Sequence, residues 1–113
     1  KKQKIQRSSF PKTFSGSKTF PSPFFTLRVF FDKKNSTTSS RFSFVVSAKV
    51  AKKAVARNTL KRRGYAVIKK NIPNIKSGYI CVFFFKKEST RVSFKDLEKE
   101  IVITLKRANV FTN

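Results

Sequence analysis

The chain has 113 residues and a formal net charge of +22, from 27 Lys and Arg against 5 Asp and Glu, and this length fits one domain with a modest core. Because so basic a chain repels itself unless it lies against negative charge, nucleic acid is the leading class of partner. A purely disordered basic tail is excluded, since 39% of the residues are hydrophobic and 14 residues are Phe.

The N-terminal part contains a basic segment and a pair of aromatic residues. Residues 1–9 are polar and basic without a periodic pattern, which predicts a flexible segment ahead of a single domain over 10–113. Phe10 and Phe14 are four residues apart, so a short helix would place both rings on one face. A turn-rich connector is predicted to follow, from Gly16, Pro21 and Pro23.

Two strands are predicted next. In 24–31 every second residue is apolar, so that one side of the strand carries Phe25, Leu27, Val29 and Phe31. The same alternation begins again at Phe42 and ends near Ser47. Because 33–40 is polar and rich in Ser, Thr and Asn, it predicts a hairpin between these two strands.

A basic helix is predicted over about 51–70, ended by Pro73. On a helical wheel a polar set falls within an arc of roughly 140°: Arg57, Asn58, Lys61 and Arg62. Three apolar residues lie on the opposite side and are expected to pack on a core, Ala56, Leu60 and Val67. Like charges four residues apart repel each other, which favours an external polyanion beside this helix.

The last third of the chain predicts a strand and a helix. Ser77-Gly78 introduces a strand over 79–86, and Ser93 with Asp96 is typical of a helix start with a capping box. The helix carries an apolar stripe of Phe94, Leu97, Ile101, Leu105 and Ala108. This order of elements indicates an α+β fold, a two-layer sandwich in which helices pack on one mixed sheet.

Few side chains are available for catalysis. The sequence has no His and one Cys, which excludes zinc sites, Cys–His dyads and Ser–His–Asp triads. Cys81 lies in an apolar run and is predicted to be a buried thiol without a disulfide, which suits a reducing cytoplasm.

No apolar run approaches the ~20 residues that span a bilayer, and no signal-peptide pattern opens the chain. We therefore expect a cytoplasmic protein that binds no cofactor by itself and no membrane, and whose partner supplies any chemistry.

The segment 44–62 resembles the signature of the protein subunit of bacterial ribonuclease P. An apolar strand ends in Ser47-Ala48-Lys49, and the following helix carries Arg-Asn-x-x-Lys-Arg from Arg57 to Arg62. Phe10-x-x-x-Phe14 looks like the first helix of that family and Ser93-Phe94-x-x-Leu97 like the start of its last helix, so the similarity covers roughly 8–109. Tyr65 stands where family members often carry another Arg, and Arg63 is the neighbouring candidate for that contact.

The resemblance implies a fold and a function. The fold would be a small sandwich with a mixed four-stranded sheet, a left-handed β-α-β crossover and about three helices. The protein would assist a catalytic RNA, one protein per RNA, that removes the 5′ leader of precursor tRNA with Mg²⁺. The catalytic RNA would be bound by Lys49, Lys52, Lys53, Arg57, Asn58, Lys61, Arg62 and Arg63. The leader would lie in a cleft between the sheet and the first helix, formed by Phe10, Phe14, Phe25, Leu27 and Ser47.

Three other classes of protein fit parts of the pattern. A ribosomal or ribosome-assembly protein would share the basicity and size but would not require the Arg-Asn-x-x-Lys-Arg motif. A cationic membrane-active protein would need a wider apolar helix face than Ala56, Leu60 and Val67 provide. A ribonuclease acting without RNA or metal is the least favoured class, because the chain has no His.

Overall fold

The computed structural model describes residues 15–31 and 39–112, so the predicted N-terminal segment and the predicted helix at Phe10 and Phe14 lie outside the described residues. The main elements in chain order are β1 (Ser15–Pro21), β2 (Phe25–Phe31), β3 (Arg41–Val45), α1 (Ala54–Asn71), β4 (Tyr79–Phe85) and α2 (Phe94–Arg107). Short 3-10 turns follow α1 at Ile72–Asn74 and β4 at Lys87–Thr90. The predicted α+β fold is confirmed, with two α-helices in the described ranges where about three were expected for the whole chain.

The four strands form one mixed sheet in the order β1-β2-β4-β3. β2 is antiparallel to β1 and to β4, whereas β3 and β4 are parallel and joined through α1 as a β-α-β crossover. The predicted hairpin between β2 and β3 is therefore wrong, because β4 lies between these strands. β4 is buried at five of its seven positions, and a strand that is apolar on both faces belongs inside a sheet.

The predicted connector around Gly16 and Pro21 is in fact the edge strand β1, which forms a hairpin with β2. The pairing register shifts between Ser15 and Ser17, as in a β-bulge, and Gly16 is the residue in between. Pro21 is the last residue of the strand. An edge strand accepts both residues, because half of its backbone groups face away from the sheet and need no partner strand.

Both helices pack on one face of the sheet. The core there is rich in aromatic contacts: the Phe44 and Phe83 rings stack with centroids 4.8 Å apart, and Phe25 meets Phe83 edge-on at 5.2 Å. α2 contributes its stripe of fully buried side chains, Leu97, Ile101 and Leu105. The N-terminus of α2 is capped as predicted, with the Ser93 hydroxyl accepting the backbone N–H of Asp96 at 3.1 Å.

α1 approaches β3 closely at Gly64. A Cβ atom at this position would come within 2.5 Å of the Phe44 ring, so a larger residue would force the ring or the helix to move. Leu60 and Val67 are buried as predicted. Ala56 is exposed instead, because the buried residues of α1 begin at Leu60 and the first turn of the helix extends beyond the packed interface.

Candidate nucleic-acid interface

The predicted RNA-binding residues lie on the turn after β3 and on the first half of α1. Three lysines of the turn are exposed, Lys49, Lys52 and Lys53. On α1, Asn58 and Arg62 are exposed and Lys61 is half-buried. Within the described ranges no carboxylate forms an ion pair with any of these cations, and the sequence has no acidic residue between Asp32 and Glu88. The surface therefore carries a concentrated positive charge that no carboxylate of residues 15–31 and 39–112 pairs with.

The start of α1 adds to this unbalanced charge. Its first turn contains no acidic residue, and the N-cap residue Lys53 makes no side-chain capping hydrogen bond. Helix N-termini carry a partial positive charge and free N–H donors, so a negatively charged group is stabilised there. A phosphate group at this end of α1 would meet both the helix dipole and the neighbouring lysines.

Arg57 is turned back onto the strand–helix turn. Its Nη1 donates to the carbonyl oxygens of Ala51 and Lys52, each at 2.8 Å. The Ser47 carbonyl closes the same turn by accepting the backbone N–H groups of Val50 and Ala51 at 3.0 and 3.1 Å. Arg57 therefore holds the turn that displays the lysines, in addition to carrying charge itself. A helical wheel is consistent with this position, since Arg57 lies about 60° from Leu60 and thus near the packed side of α1.

Two of the residues predicted to form the leader cleft are unavailable to a ligand. Phe25 and Leu27 are fully buried in the core beneath the helices, so their assignment to the leader cleft is wrong. A ring without exposed surface cannot stack on a base. Ser47 is exposed just beyond β3, whereas Phe10 and Phe14 lie outside the described residues.

The opposite face of the sheet carries aromatic and cationic side chains that the sequence analysis missed. We call it the second sheet face, and it includes Arg28 and Phe30 on β2, Phe84 on β4 and Val45 on β3. Phe84 and Val45 are register partners and are 39% and 40% exposed. The Arg28 guanidinium carbon lies 5.7 Å from the centre of the Phe30 ring. The signal for this face was Arg28, because a charged residue within an alternating strand normally marks the side away from the core.

The remaining reactive groups show no converging site. Burial raises the pKa of the Cys81 thiol, so this thiol stays protonated and poorly nucleophilic. Among the residues that the structure describes, no three His, Cys, Asp or Glu side chains are grouped so that they could hold a metal ion. In the same part of the chain, neither helix has the length and apolar character needed to cross a membrane.

Comparison with known proteins decides the family. The ribonuclease P family model matches residues 1–109. The chain belongs to the ribonuclease P protein family. It is 33% identical over 104 residues to the ribonuclease P protein component of Clostridioides difficile, covering 91% of this chain and 88% of that protein. The fold is similar to that of the RNase P protein of Staphylococcus aureus, with a TM-score of 0.83 at 20% identity, covering 98% of this chain and 99% of that one. It is also similar to that of the RNase P protein of Thermotoga maritima, with a TM-score of 0.71 at 27% identity, covering 80% of this chain and 83% of that one.

One position departs from the pattern expected for the ribonuclease P family. Tyr65 stands where another Arg was expected, and it is turned toward the outer edge of β3. Its hydroxyl lies 3.4 Å from the Phe42 carbonyl oxygen, and its ring meets the Phe44 ring edge-on at 4.8 Å. Burial raises the pKa of Tyr65, an effect that a backbone hydrogen bond from Phe44 partly opposes. Tyr65 therefore covers an otherwise open strand edge as a neutral group.

Arg63 does not occupy the same flank of α1. Two residues along a helix differ by about 200°, so Arg63 and Tyr65 project to different sides. Seven residues after Arg63, and thus nearly in line with it, Lys70 forms an ion pair with Glu98 of α2 at 2.7 Å. Arg63 therefore lies on the flank of α1 that faces α2, and its predicted contact with RNA stays a prediction.

Proposed function

We propose that this chain is the protein subunit of a ribonuclease P and that it binds the catalytic RNA through the first half of α1 and the turn before it. The observation that carries the proposal is the Arg-Asn-x-x-Lys-Arg motif, whose Asn58 and Arg62 project from α1 while Arg57 braces the adjoining turn. Guanidinium groups match phosphate oxygens in fork geometry, and lysines add charge without directional demands. No observation favours the ribosomal alternative.

The chemistry is assigned to the partner RNA. The RNA would hold the Mg²⁺ ions and cleave the phosphodiester at the 5′ end of the mature tRNA, since this chain offers no His and its one Cys is buried. The contribution of the protein is electrostatic. Its net charge of +22 offsets the repulsion between phosphates that are brought together when the catalytic RNA binds precursor tRNA. With less repulsion to overcome, the complex should need less Mg²⁺.

The 5′ leader is assigned to the second sheet face. Single-stranded RNA is bound by rings on which its bases stack and by cations that follow its backbone. Phe84 and Phe30 supply rings and Arg28 supplies a cation on this face. Phe10 and Phe14 stay predicted contributors from the preceding segment. The protein would act in the cytoplasm, one copy per RNA.

The test is a reconstitution. The protein, purified free of RNA, is added to a bacterial ribonuclease P RNA, and release of the leader from an end-labelled precursor tRNA is followed across a Mg²⁺ titration. The Mg²⁺ concentration at half-maximal cleavage should fall when the protein is present, and the protein alone should cleave nothing. Cleavage by the protein alone, or an unchanged Mg²⁺ requirement, would contradict the proposal.

A further inference from the structure

A cavity of about 470 Å³ opens beside the edge strand β3, away from the second sheet face. Its walls are the C-terminal half of α1, the 3-10 turn that follows it and the segment leading into β4. The lining is mainly apolar and comes from Phe42, Tyr65, Ile68, Ile72 and Ile75. Both the size and the apolar lining are typical of pockets that bind a small molecule.

The walls of this cavity are held by hydrogen bonds. The Ser40 hydroxyl donates to the Lys76 carbonyl at 2.5 Å and accepts the backbone N–H of Tyr79 at 2.9 Å. On the other side, the Asn71 side chain donates to the Val67 carbonyl at 2.8 Å in the last turn of α1. A pocket with walls fixed in this way loses little conformational freedom when a ligand enters.

Two cations lie at the rim of the apolar lining. Lys69 is exposed on α1, and Lys76 is half-buried, with its Nζ donating to the Asn109 side chain at 3.2 Å. Neither forms an ion pair with a carboxylate in the described ranges. An apolar pocket with a tyrosine wall and a cationic rim suits a flat ring that carries a negatively charged group. A nucleotide has this composition.

The position of Lys69 links the cavity to the RNA-binding surface. Lys69 follows Arg62 by seven residues, so both project from the same side of α1, about 10 Å apart along its axis. A strand of RNA that contacts Arg62 could therefore continue to the rim of the cavity. Within a duplex the bases are stacked and paired, whereas bases in loops and bulges are free to enter a protein pocket.

We propose that this cavity holds one unpaired base of the catalytic RNA, with its phosphate at Lys69 and Lys76. The base lies against Tyr65, Ile72 and Ile75. This contact adds recognition of a single unpaired nucleotide to the contacts that the Arg-Asn-x-x-Lys-Arg motif makes with the RNA backbone. The proposal rests on the proposed function, since it requires that the catalytic RNA is the bound RNA.

Ile72→Asp tests the proposal, because Ile72 is 58% exposed and a carboxylate there would repel the phosphate at the rim. Ile103→Asp on α2 is the matched control, with the same charge change at a 39% exposed position outside the cavity. Ile72→Asp should weaken binding to the catalytic RNA about ten-fold, the effect expected for one stacked base, and more than Ile103→Asp does. Equal effects of the two variants, both still melting cooperatively, would overturn the proposal.

A cross-linking experiment covers the case in which Ile72→Asp folds poorly. A benzophenone side chain is introduced in place of Ile72, the complex with catalytic RNA and precursor tRNA is irradiated, and the linked nucleotides are mapped by reverse transcription. One unpaired nucleotide of the catalytic RNA should be linked. Linkage to the precursor tRNA alone, scattered linkage or none would overturn the proposal. The wild-type reconstitution separates these outcomes from failure of the proposed function, because it tests leader release without any change at the cavity.

Discussion

Arg57 should stabilise the protein as well as bind RNA, because its Nη1 donates to two backbone carbonyls at 2.8 Å. A hydrogen bond to a charged group contributes about 1.5–3 kcal/mol when it is buried. Since Arg57 is half-buried, we expect Arg57→Ala to lower the free energy of unfolding by about 2 kcal/mol for both bonds together. At roughly 4 °C per kcal/mol for a chain of this size, the melting temperature should fall by about 8 °C.

Arg62→Ala is the control for this prediction. Arg62 belongs to the same motif and carries the same charge, but it is exposed on α1, so its removal should change the free energy of unfolding by no more than about 0.5 kcal/mol. Arg57→Lys should fall between the two, because an ammonium on a shorter side chain keeps the charge but loses the guanidinium geometry. Thermal melting of the free protein by circular dichroism measures all three. If Arg57→Ala melts at the same temperature as Arg62→Ala, the two hydrogen bonds of Arg57 to the turn do not stabilise the fold.

Three further predictions concern the proposed RNA-binding surface, the helix–sheet contact and the second sheet face. Arg62→Ala should reduce the slope of log K against log salt concentration for catalytic RNA binding by about 0.7–0.9. An unchanged slope would show that this side chain contacts no phosphate. Gly64→Ala should destabilise by about 1–3 kcal/mol in a denaturant titration, because its Cβ would overlap the Phe44 ring; a stabilised variant would contradict the close approach. Phe84→Ala should selectively weaken binding of leader-bearing precursor tRNA relative to leaderless tRNA, whereas Phe25→Ala should lose about 3–5 kcal/mol of stability. An equal loss of affinity for both tRNAs in Phe84→Ala would show that the leader does not bind to this face.

The elements that the sequence predicted well depend on local patterns. Ser93 and the stripe through Leu97 define α2, because a cap and a repeat of 3.6 residues are properties of one segment. Pro73 ended α1 near the predicted place, since the helix gives way to a 3-10 turn at Ile72. The strand order was not predictable in this way. The turn-like composition of 33–40 suggested a hairpin, but the choice of partner depends on how completely β4 is buried, which is a property of the assembled sheet.

The alternation along β2 predicts a strand but does not show which of its two sides faces solvent. Both sides carry aromatic residues, Phe25 on one and Phe30 on the other, so apolar character alone could not choose between them. Arg28 decides the question, because a guanidinium inside the core would require a buried partner. The same reasoning places Leu27 in the core, because neighbouring residues of a strand point to opposite faces and Arg28 is exposed.

The basic motif functions as part of an anchored helix and not as a row of equivalent cations. Arg57 ties the start of α1 to the preceding turn, and Gly64 lets the middle of the helix approach Phe44 on β3. These two anchors fix the rotation of α1 about its axis, so that Asn58 and Arg62 are directed away from the sheet. Repulsion among the outward cations would favour fraying of a free helix, and the anchors oppose it before any RNA is bound. A surface organised in advance in this way binds without the entropy cost of ordering the helix at the moment of contact.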